Sequence, residues 1–335
     1  MSCYHPMVAV RDYGDKQYKL LGSVPDIDFL KTESSHRYKE TLLVPCGQCR
    51  GCRYDKSRTW ADRMCLEFDH TKKAVFLTLT YDPDHLPLSG VVDWSTGECF
   101  PTLVKEDMSR FMKDLRGNKH FDGKELRFYG SGEYGEKFGR SHMHIILFGA
   151  SLEDFDWPLE NSGLVLHDMN ELHKPTYRSR ILEEVIWKKG LVGISDFSWE
   201  TAAYVARYVR KKLTGDLESV YTCRGQVPPF SLMSRRPGIA GYYLLDHPDK
   251  DIFEVDTFSV NGKIKRIPDY LFDRLVSDNP QLQDKFESFK NDRRRYANDR
   301  MMSELSQTDL SMEELLAIKE RTFVSKTNSL SRPLE

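Results

Sequence analysis

The stretch HMHIILF, residues 142–148, decides the fold that we predict for this chain. Its apolar part, Ile145–Phe148, is typical of a buried strand. Successive side chains of a strand point to opposite faces of the sheet, so His142 and His144 share one face. The pattern therefore predicts a strand that presents two imidazoles side by side, an arrangement that suits a metal ion.

A carboxylate precedes the two histidines and can join them. Glu133 closes the strand-like stretch Leu126–Glu133, and the glycine-bearing segment Tyr134–Ser141 has the character of a hairpin connection. We therefore predict that Glu133, His142 and His144 bind one ion. Two nitrogens and one carboxylate oxygen, with positions left for water or phosphate oxygens, favour Mg²⁺ or Mn²⁺ at work on a phosphodiester. The alternative is a hairpin-end charge beside histidines that fill an edge of the core.

A predicted helix with two tyrosines follows about sixty residues later. Ser198 is a candidate N-cap for this helix. Tyr204 and Tyr208 lie one turn apart, so both phenols can address the same locus. On a helical wheel they fall, with Lys211, on the side away from an apolar stripe. The stripe consists of Ala202, Val205, Ala206, Val209 and Leu213.

The tyrosines are the predicted nucleophiles. A phenol titrates at about pH 10 in isolation, so at neutral pH it attacks only where a cation lowers its pKa or a base takes its proton. We expect Lys211 and the metal ion to do so. We also expect Arg207, Arg210 and Lys212 to contact DNA phosphates. The alternative is an amphipathic helix with a solvated basic face and incidental tyrosines, but a carboxylate, two histidines and two tyrosines together predict DNA nicking.

The bulk composition narrows the class of protein. A formal net charge of −2 over 335 residues does not by itself indicate a nucleic-acid binder. No stretch approaches the roughly eighteen consecutive apolar residues of a membrane span, and Met1–Pro6 lacks the apolar core of a signal peptide. Seven cysteines, an odd number, suit a reducing compartment better than a disulfide framework. We therefore expect a cytosolic protein with no membrane partner.

The order of the predicted elements indicates an α+β fold with a central antiparallel sheet flanked by helices, and with a helical C-terminal appendage. Helices are predicted over Ser57–Lys72, Lys105–Arg116 and Arg178–Lys189, and from Ser198 onward. Besides the histidine strand, strands are predicted over Ala74–Tyr81, Leu126–Glu133 and Leu191–Phe197. Beyond about residue 250 the chain is highly charged and mostly permissive for helix.

Three cysteines, Cys46, Cys49 and Cys52, stand at intervals of three with two glycines between them. Such a loop can wrap a soft ion, and zinc takes four ligands. Cys65, or a histidine such as His36, could supply the fourth, although neither stands at a zinc-ribbon interval. Two interpretations therefore stay open: a structural Zn²⁺ held by the three thiols and Cys65, or reduced thiols in a tight turn.

Three motifs stand in a characteristic order along the chain. They are Phe76–Tyr81, then Gly132–Gly135 leading to His142–His144, then Tyr204–Lys211 with its paired tyrosines. In this order and spacing they resemble the first motif, the metal motif and the nucleophile motif of the HUH endonuclease superfamily. More closely, they resemble the replication initiators of gokushovirus-type microviruses, the small single-stranded DNA phages. The resemblance spans roughly residues 42–275.

The resemblance implies a rolling-circle replication initiator of a single-stranded DNA phage, in which an antiparallel sheet holds the ion beside the tyrosine helix. It implies a metal-assisted transesterification in which Tyr204 or Tyr208 attacks origin DNA, leaving a 5′-phosphotyrosyl link and a 3′-hydroxyl primer. The implied partners are single-stranded or origin DNA and the host replication helicase and polymerase. The implied location is the host bacterial cytoplasm.

The predicted organisation has three parts: an N-terminal extension over residues 1–45, an HUH endonuclease domain over 46–250 with a Cys-rich loop at 46–52, and a helical C-terminal region over 251–335. Motif order leaves open a plasmid-type initiator, a relaxase or a transposase of the same superfamily. Two further alternatives differ in chemistry. One is a metal-dependent phosphohydrolase that uses water, and the other is a non-catalytic, zinc-stabilised single-stranded DNA-binding protein whose tyrosines stack on bases.

Overall fold

The residues described in the computed structural model are 3–14, 17–23, 38, 40–135, 139–156, 163–169, 175–210, 216–260 and 262–328. For residues 23, 40 and 207–210 only the backbone is described. The chain divides into two compact units, a smaller one of residues 1–55 and 276–335 and a larger one of residues 56–275. The domain boundaries predicted at residues 45 and 250 stay a prediction. No helix within the described ranges is long and apolar enough to cross a membrane.

The strands, in chain order, are β1 (Met7–Arg11), β2 (Lys19–Ser23), β3 (Glu40–Val44), β4 (Ala74–Thr80), β5 (Leu88–Val92), β6 (Cys99–Pro101), β7 (Arg127–Tyr134), β8 (Ser141–Phe148), β9 (Leu164–Met169), β10 (Pro175–Ser179), β11 (Val192–Asp196), β12 (Phe230–Met233), β13 (Thr257–Val260) and β14 (Lys263–Arg266). The α-helices are α1 (Arg50–Thr71), α2 (Lys105–Arg116), α3 (Trp199–Arg210), α4 (Asp216–Thr222), α5 (Tyr243–Asp246), α6 (Asp269–Asp278), α7 (Gln283–Ser306) and α8 (Met312–Asn328). Short 3₁₀ turns lie at Lys119–Phe121, Leu152–Phe155 and Pro280–Leu282.

Seven strands of the larger unit form the central sheet, in the order β12-β7-β8-β4-β11-β10-β9. Each neighbouring pair in this sheet is antiparallel. Strands β7 and β8 pair along their whole length, from Arg127 opposite Phe148 to Tyr134 opposite Ser141. The predicted α+β class with a central antiparallel sheet and a C-terminal helical segment is therefore confirmed.

One face of this sheet carries the larger apolar core. Leu77 and Met143 are fully buried there, in the same cluster as Phe111 of α2. Helix α2 comes very close to β7, because a Cβ added at Gly130 would lie only 2.7 Å from the sulfur of Met108. A glycine at this position therefore permits an approach that a larger residue would block.

The opposite face is apolar at one end and polar at the other. A row across three strands, formed by Phe76, Ile146 and Tyr129, packs with Met64 of α1 and Val205 of α3 in a second core cluster. The next two rows along the strands are polar. They consist of Thr78, His144 and Ser131, and then of Thr80, His142 and Glu133.

A buried ion pair fastens α1 to the beginning of β7. Nε of Arg127 donates a hydrogen bond to the Glu67 carboxylate, and both side chains are almost completely buried. The other carboxylate oxygen of Glu67 accepts from the Ala240 N–H at 2.6 Å, and Arg127 also donates to the Pro237 carbonyl at 2.7 Å. Both charges are thus paired and hydrogen-bonded, which offsets the large cost of removing them from water.

The smaller unit joins the two ends of the chain. Its antiparallel sheet has the order β2-β1-β3. Val8, Val10 and Leu43 of this sheet are buried together with Met312 and Leu316 of α8. The predicted C-terminal helices therefore share a core with the N-terminal segment, for which the sequence alone predicts no structure.

Two predicted helical stretches are wrong in part. Arg178–Lys189 is predicted as an α-helix, but β10 runs through Ser179 and only Leu182–Trp187 coils, as a π-helix. The reason is that β10 pairs with both β9 and β11, which extends its backbone. The region 251–335, predicted as helical, begins with a hairpin in which Thr257–Val260 pairs with Lys263–Arg266.

Candidate active site

The ladder between β7 and β8 brings the three predicted ligands together. Glu133 lies directly opposite His142, and His144 lies one row further along, opposite Ser131. The carboxylate oxygen and one nitrogen of each imidazole lie within 4.8 Å of one another. Glu133 and His144 are buried, whereas His142 is partly exposed. The structure thus groups the three side chains that strand alternation and the hairpin predict as a set.

Both imidazoles approach the same carboxylate oxygen. Nε2 of His142 lies 2.7 Å, and Nε2 of His144 lies 2.8 Å, from Oε1 of Glu133. Nδ1 of His142 lies 3.2 Å from the Arg140 carbonyl, which can only accept, so this nitrogen carries a proton. In neutral His142, Nε2 therefore presents a lone pair toward an anionic oxygen. Such an approach requires a cation between the two atoms, either a proton or a metal ion.

The outer nitrogen of each imidazole is also engaged, which fixes the orientation of the rings. Nδ1 of His144 lies 3.1 Å from the hydroxyl oxygen of Thr78 on β4. His142 uses the backbone carbonyl of Arg140 in the same way. A hydrogen bond at the outer nitrogen that turns the inner nitrogen toward the ion is the usual arrangement for histidines that bind metals.

The donor set fits a divalent cation. An octahedral Mg²⁺ with bonds of about 2.1 Å has neighbouring ligand atoms roughly 3 Å apart, close to the 2.7 and 2.8 Å that separate the Glu133 oxygen from the two nitrogens. Burial raises the pKa of Glu133, but hydrogen bonds from His142 and His144 lower it to about 2, so the group is ionised at neutral pH. The three side chains can therefore hold Mg²⁺ or Mn²⁺ and leave positions for phosphate oxygens.

We expect Thr78→Val to weaken activation by Mn²⁺ about 10- to 100-fold, because His144 loses the hydroxyl that orients it. Thr80→Val is the matched control, since the Thr80 hydroxyl lies on the same face of β4 but donates to the Leu191 carbonyl at 3.3 Å. Isothermal titration with Mn²⁺ measures the affinity of each variant. Equal affinities for the two variants would contradict this role of Thr78.

Helix α3 brings Tyr204 to this cluster. The Ser198 hydroxyl accepts from the Thr201 N–H at 3.2 Å and so caps the helix, as predicted. The Tyr204 ring meets His144 edge-on, with centroids 5.1 Å apart and an interplanar angle of 82°. Phe76 lies against both rings, stacked on His144 at 5.3 Å and edge-on to Tyr204 at 6.1 Å.

The position of Tyr204 corrects the helical-wheel prediction. The wheel places Tyr204 on the side of α3 away from the apolar stripe. In the structure its ring is partly buried and packs beside that stripe, against the second core cluster. The reason is that the polar rows of the sheet continue directly from this core, so the flank of α3 faces the sheet as well as solvent.

Two other tyrosines near the cluster are poor candidates for the nucleophile. The buried Tyr81 donates its hydroxyl to Asp107 at 2.9 Å, and burial together with this carboxylate raises the pKa of Tyr81. Tyr134 donates to the Val227 carbonyl at 2.7 Å, and burial raises the pKa of Tyr134. A raised pKa opposes the phenolate that an attack on phosphorus requires. Tyr204 therefore remains the candidate among the described tyrosine side chains near these ligands.

Several predicted site residues lie beyond what the structure describes. Only the backbone, which continues α3, is described for Arg207, Tyr208 and Arg210. Wholly outside the described residues lie Lys211, Lys212 and His36. Because Tyr208 comes four residues after Tyr204, it lies about one turn further along the helix. The roles of the second tyrosine and of the basic residues stay predictions.

The cysteine cluster has a different fourth member from the predicted one. The four sulfur atoms that lie within 4.8 Å of one another belong to Cys3, Cys46, Cys49 and Cys52. Cys65 is buried in α1, thirteen residues after Cys52. At 1.5 Å per residue it lies about 20 Å further along the same helix, too far to share an ion with Cys52.

Thr78 and Cys3 are absent from the sites predicted from sequence. A signal for Thr78 does exist, because Thr78 and Thr80 alternate on one face of a predicted central strand. For Cys3 the signal is weaker, since it is one more cysteine without a motif spacing to Cys46. Both residues become visible only when the strand partners are known.

Comparison with known proteins connects this site to a family. The family model for the ORF2-type replication-associated proteins matches residues 74–213. The matched segment contains β4, the Glu133, His142 and His144 cluster, and the whole of α3. No solved structure matches the chain.

Three phage proteins are similar over longer stretches. The replication-associated protein ORF2 of Spiroplasma virus 4 is 28% identical over 318 residues, which cover 92% of this chain and 91% of that protein. The replication-associated protein VP4 of Bdellovibrio phage phiMH2K is 26% identical over 241 residues, covering 72% and 70%. The replication-associated protein ORF4 of Chlamydia phage 1 is 29% identical over 206 residues, covering 59% and 46%. These matches confirm the predicted recognition: the chain belongs with the replication-associated proteins of the microviruses.

Proposed function

We propose that this chain is a tyrosine nicking-joining enzyme of the HUH type that initiates rolling-circle replication of a single-stranded DNA phage. The observation that carries the proposal is the contact between Tyr204 and His144, whose Nε2 lies 2.8 Å from the Glu133 carboxylate. A phenol thereby lies beside a group of side chains able to hold a divalent cation. The replication-associated relatives support a role in phage DNA replication.

The proposed reaction is a transesterification at a phosphodiester of origin DNA. The phenol oxygen of Tyr204 or Tyr208 forms a bond to phosphorus, and the bond from phosphorus to the 3′-oxygen breaks. The phenol loses a proton and the 3′-oxygen gains one, so no other reactant is consumed. The products are a 5′-phosphotyrosyl link and a free 3′-hydroxyl that primes synthesis. Because one phosphodiester replaces another, the link stays reactive and the strand can be rejoined.

Glu133, His142 and His144 hold the ion in this proposal. A bound Mg²⁺ or Mn²⁺ supplies Lewis-acid polarisation of the scissile phosphate. Lys211 stabilises negative charge on the phenol oxygen or the phosphate. These roles separate binding of the ion from the nucleophile, so substitutions can test each role alone.

The second tyrosine, Tyr208, allows repeated rounds of replication. After one circuit it cuts the regenerated origin while the displaced strand is rejoined to its own end. Arg207, Arg210 and Lys212 neutralise phosphates that flank the cut. The proposed partners are single-stranded or origin DNA and the host replication helicase and polymerase, and the proposed location is the host bacterial cytoplasm.

A covalent adduct assay tests this function. The full chain is incubated with Mn²⁺ and 3′-labelled single-stranded oligonucleotides that tile the genome encoding it, and the products are separated on a denaturing gel. We expect a labelled protein–DNA adduct that forms at one sequence and disappears when the divalent ion is chelated. Mass spectrometry of the digested adduct is expected to place the DNA on a peptide from α3.

Two other outcomes would overturn the proposal. Cut DNA without an adduct would indicate a phosphohydrolase that uses water. Binding without any cutting, independent of divalent ions, would indicate a non-catalytic DNA-binding protein. An adduct on a peptide other than α3 would keep the reaction and remove the assignment to Tyr204 and Tyr208.

A further inference from the structure

Two chain segments that are distant in sequence each bring thiols to one place in the smaller unit. The β1–β3 ladder pairs Met7 with Val44. Cys3 precedes and Cys46 follows this pair, so the ladder carries both cysteines to the same end of the sheet. The Cys46 N–H donates to the Cys3 sulfur at 3.2 Å, and no disulfide joins any of the described cysteines.

Backbone amides point at the sulfur atoms of the loop. The Cys46 sulfur accepts from the N–H of Gln48 at 3.5 Å and from the N–H of Cys49 at 3.3 Å. In the first turn of α1, the Cys52 N–H donates to the Cys49 sulfur at 3.5 Å. Gly47, with φ of +73°, allows the tight turn that aims these amides. Amide donors favour the thiolate over the thiol, and the thiolate is the form that binds metals.

The spacing of the sulfur atoms fits a single ion. A tetrahedral Zn²⁺ with bonds of about 2.3 Å holds its thiolates roughly 3.8 Å apart. The sulfur atoms of Cys3 and Cys49 are 3.9 Å apart, and all four of the cluster lie within 4.8 Å of one another. An iron–sulfur cluster distributes its thiolates over more than one iron atom and so holds them further apart. Soft thiolates also discriminate against Mg²⁺ and Mn²⁺, the ions proposed for the catalytic cluster.

We propose that one structural Zn²⁺ is bound by Cys3, Cys46, Cys49 and Cys52. The ion joins the N-terminal segment to the beginning of α1 and closes the part of the chain that lies between them. Phe323 of α8 packs against Tyr4 at 5.7 Å and against Tyr54 at 5.4 Å, so the neighbours of the thiols also hold the C-terminal helix. Binding of zinc is therefore coupled to the folding of the smaller unit.

Metal analysis of the full chain tests this proposal. The protein is purified under reducing conditions, dialysed against EDTA to remove weakly bound ions, and analysed for metals. We expect one zinc per chain to remain. Exchange with Co²⁺ is expected to give the strong absorption bands of a tetrahedral ion with four thiolates. Absence of zinc, or the presence of iron with inorganic sulfide, would overturn the proposal.

Matched variants identify the ligands. Cys3→Ser is expected to lose the zinc, whereas Cys65→Ser, which changes a buried thiol outside the cluster, is expected to keep it. The double variant His142→Ala, His144→Ala is expected to keep it as well, since it alters the other candidate metal site. If Cys3→Ser does not fold, alkylation of the wild-type chain decides. The exposed Cys223 should react at once and the four clustered thiols only after zinc is released; alkylation of all five at the same rate would contradict the site.

Discussion

Replacement of Tyr204 and Tyr208 together by phenylalanine is expected to abolish both the covalent adduct and cutting of origin DNA. Phenylalanine retains the ring, so the edge-on packing of residue 204 on His144, with centroids 5.1 Å apart, is preserved. The nucleophilic oxygen is lost. Each single variant is expected to retain one cleavage event and to lose repeated rounds, because the other phenol lies about one turn away on the same helix.

The adduct assay on denaturing gels measures this effect. Tyr134→Phe is a demanding control, because Tyr134 follows Glu133 in β7 and its hydroxyl donates to a backbone carbonyl at 2.7 Å. This control removes a hydroxyl close to the cluster without removing a proposed nucleophile, so its adduct should persist. Full adduct formation by the double variant would refute the assignment of the nucleophiles.

Glu133→Gln is expected to reduce the rate of nicking by about a thousandfold or more. The change replaces a buried anion with a neutral amide of the same shape and weakens one of the three donors to the ion. Loss of several kcal/mol of charge stabilisation at the scissile phosphate corresponds to roughly three powers of ten in rate. DNA binding should largely persist, because it depends mainly on basic side chains that contact phosphates.

Single-turnover nicking in Mn²⁺ and fluorescence anisotropy with labelled DNA in EDTA separate the two quantities. Asp82→Asn is the matched control, because Asp82 also pairs with an imidazole, that of His85 at 2.8 Å, but does so on an exposed surface after β4. A nicking rate for Glu133→Gln within tenfold of the wild-type rate would remove Glu133 from the proposed ligands. Equal loss of DNA binding and nicking would indicate a structural role instead.

The elements nearest the site are the ones that local sequence predicts well. The observed α2 has the predicted bounds, Lys105–Arg116, and β7 and β8 differ from the predicted strands by one residue. These segments combine strong apolar periodicity with clear turn residues at their ends. By contrast, β9 is largely exposed, so its residues show no alternation between core and solvent. Its strand character depends on pairing with β10, which no local pattern reveals.

The candidate site divides in the same way. Glu133, His142 and His144 follow from alternation and one hairpin, both of which are short-range features. Thr78 reaches His144 only because β4 pairs with β8 in a register that brings these two residues opposite each other. Cys3 joins Cys46 through the β1–β3 ladder, and 43 residues separate the two in sequence. Contacts that depend on long-range pairing require the fold, and for this reason Cys65 is the wrong choice of fourth thiol.

The packing of Phe76 has a consequence for how this protein can evolve. Its ring stacks on His144 and meets Tyr204 edge-on, so a hydrocarbon side chain sets the spacing between a proposed ligand and a proposed nucleophile. The same ring belongs to the core that α1 and α3 share with the sheet. Selection for a stable interior and selection for reactive geometry therefore act on one residue, which neither transfers a proton nor carries a charge.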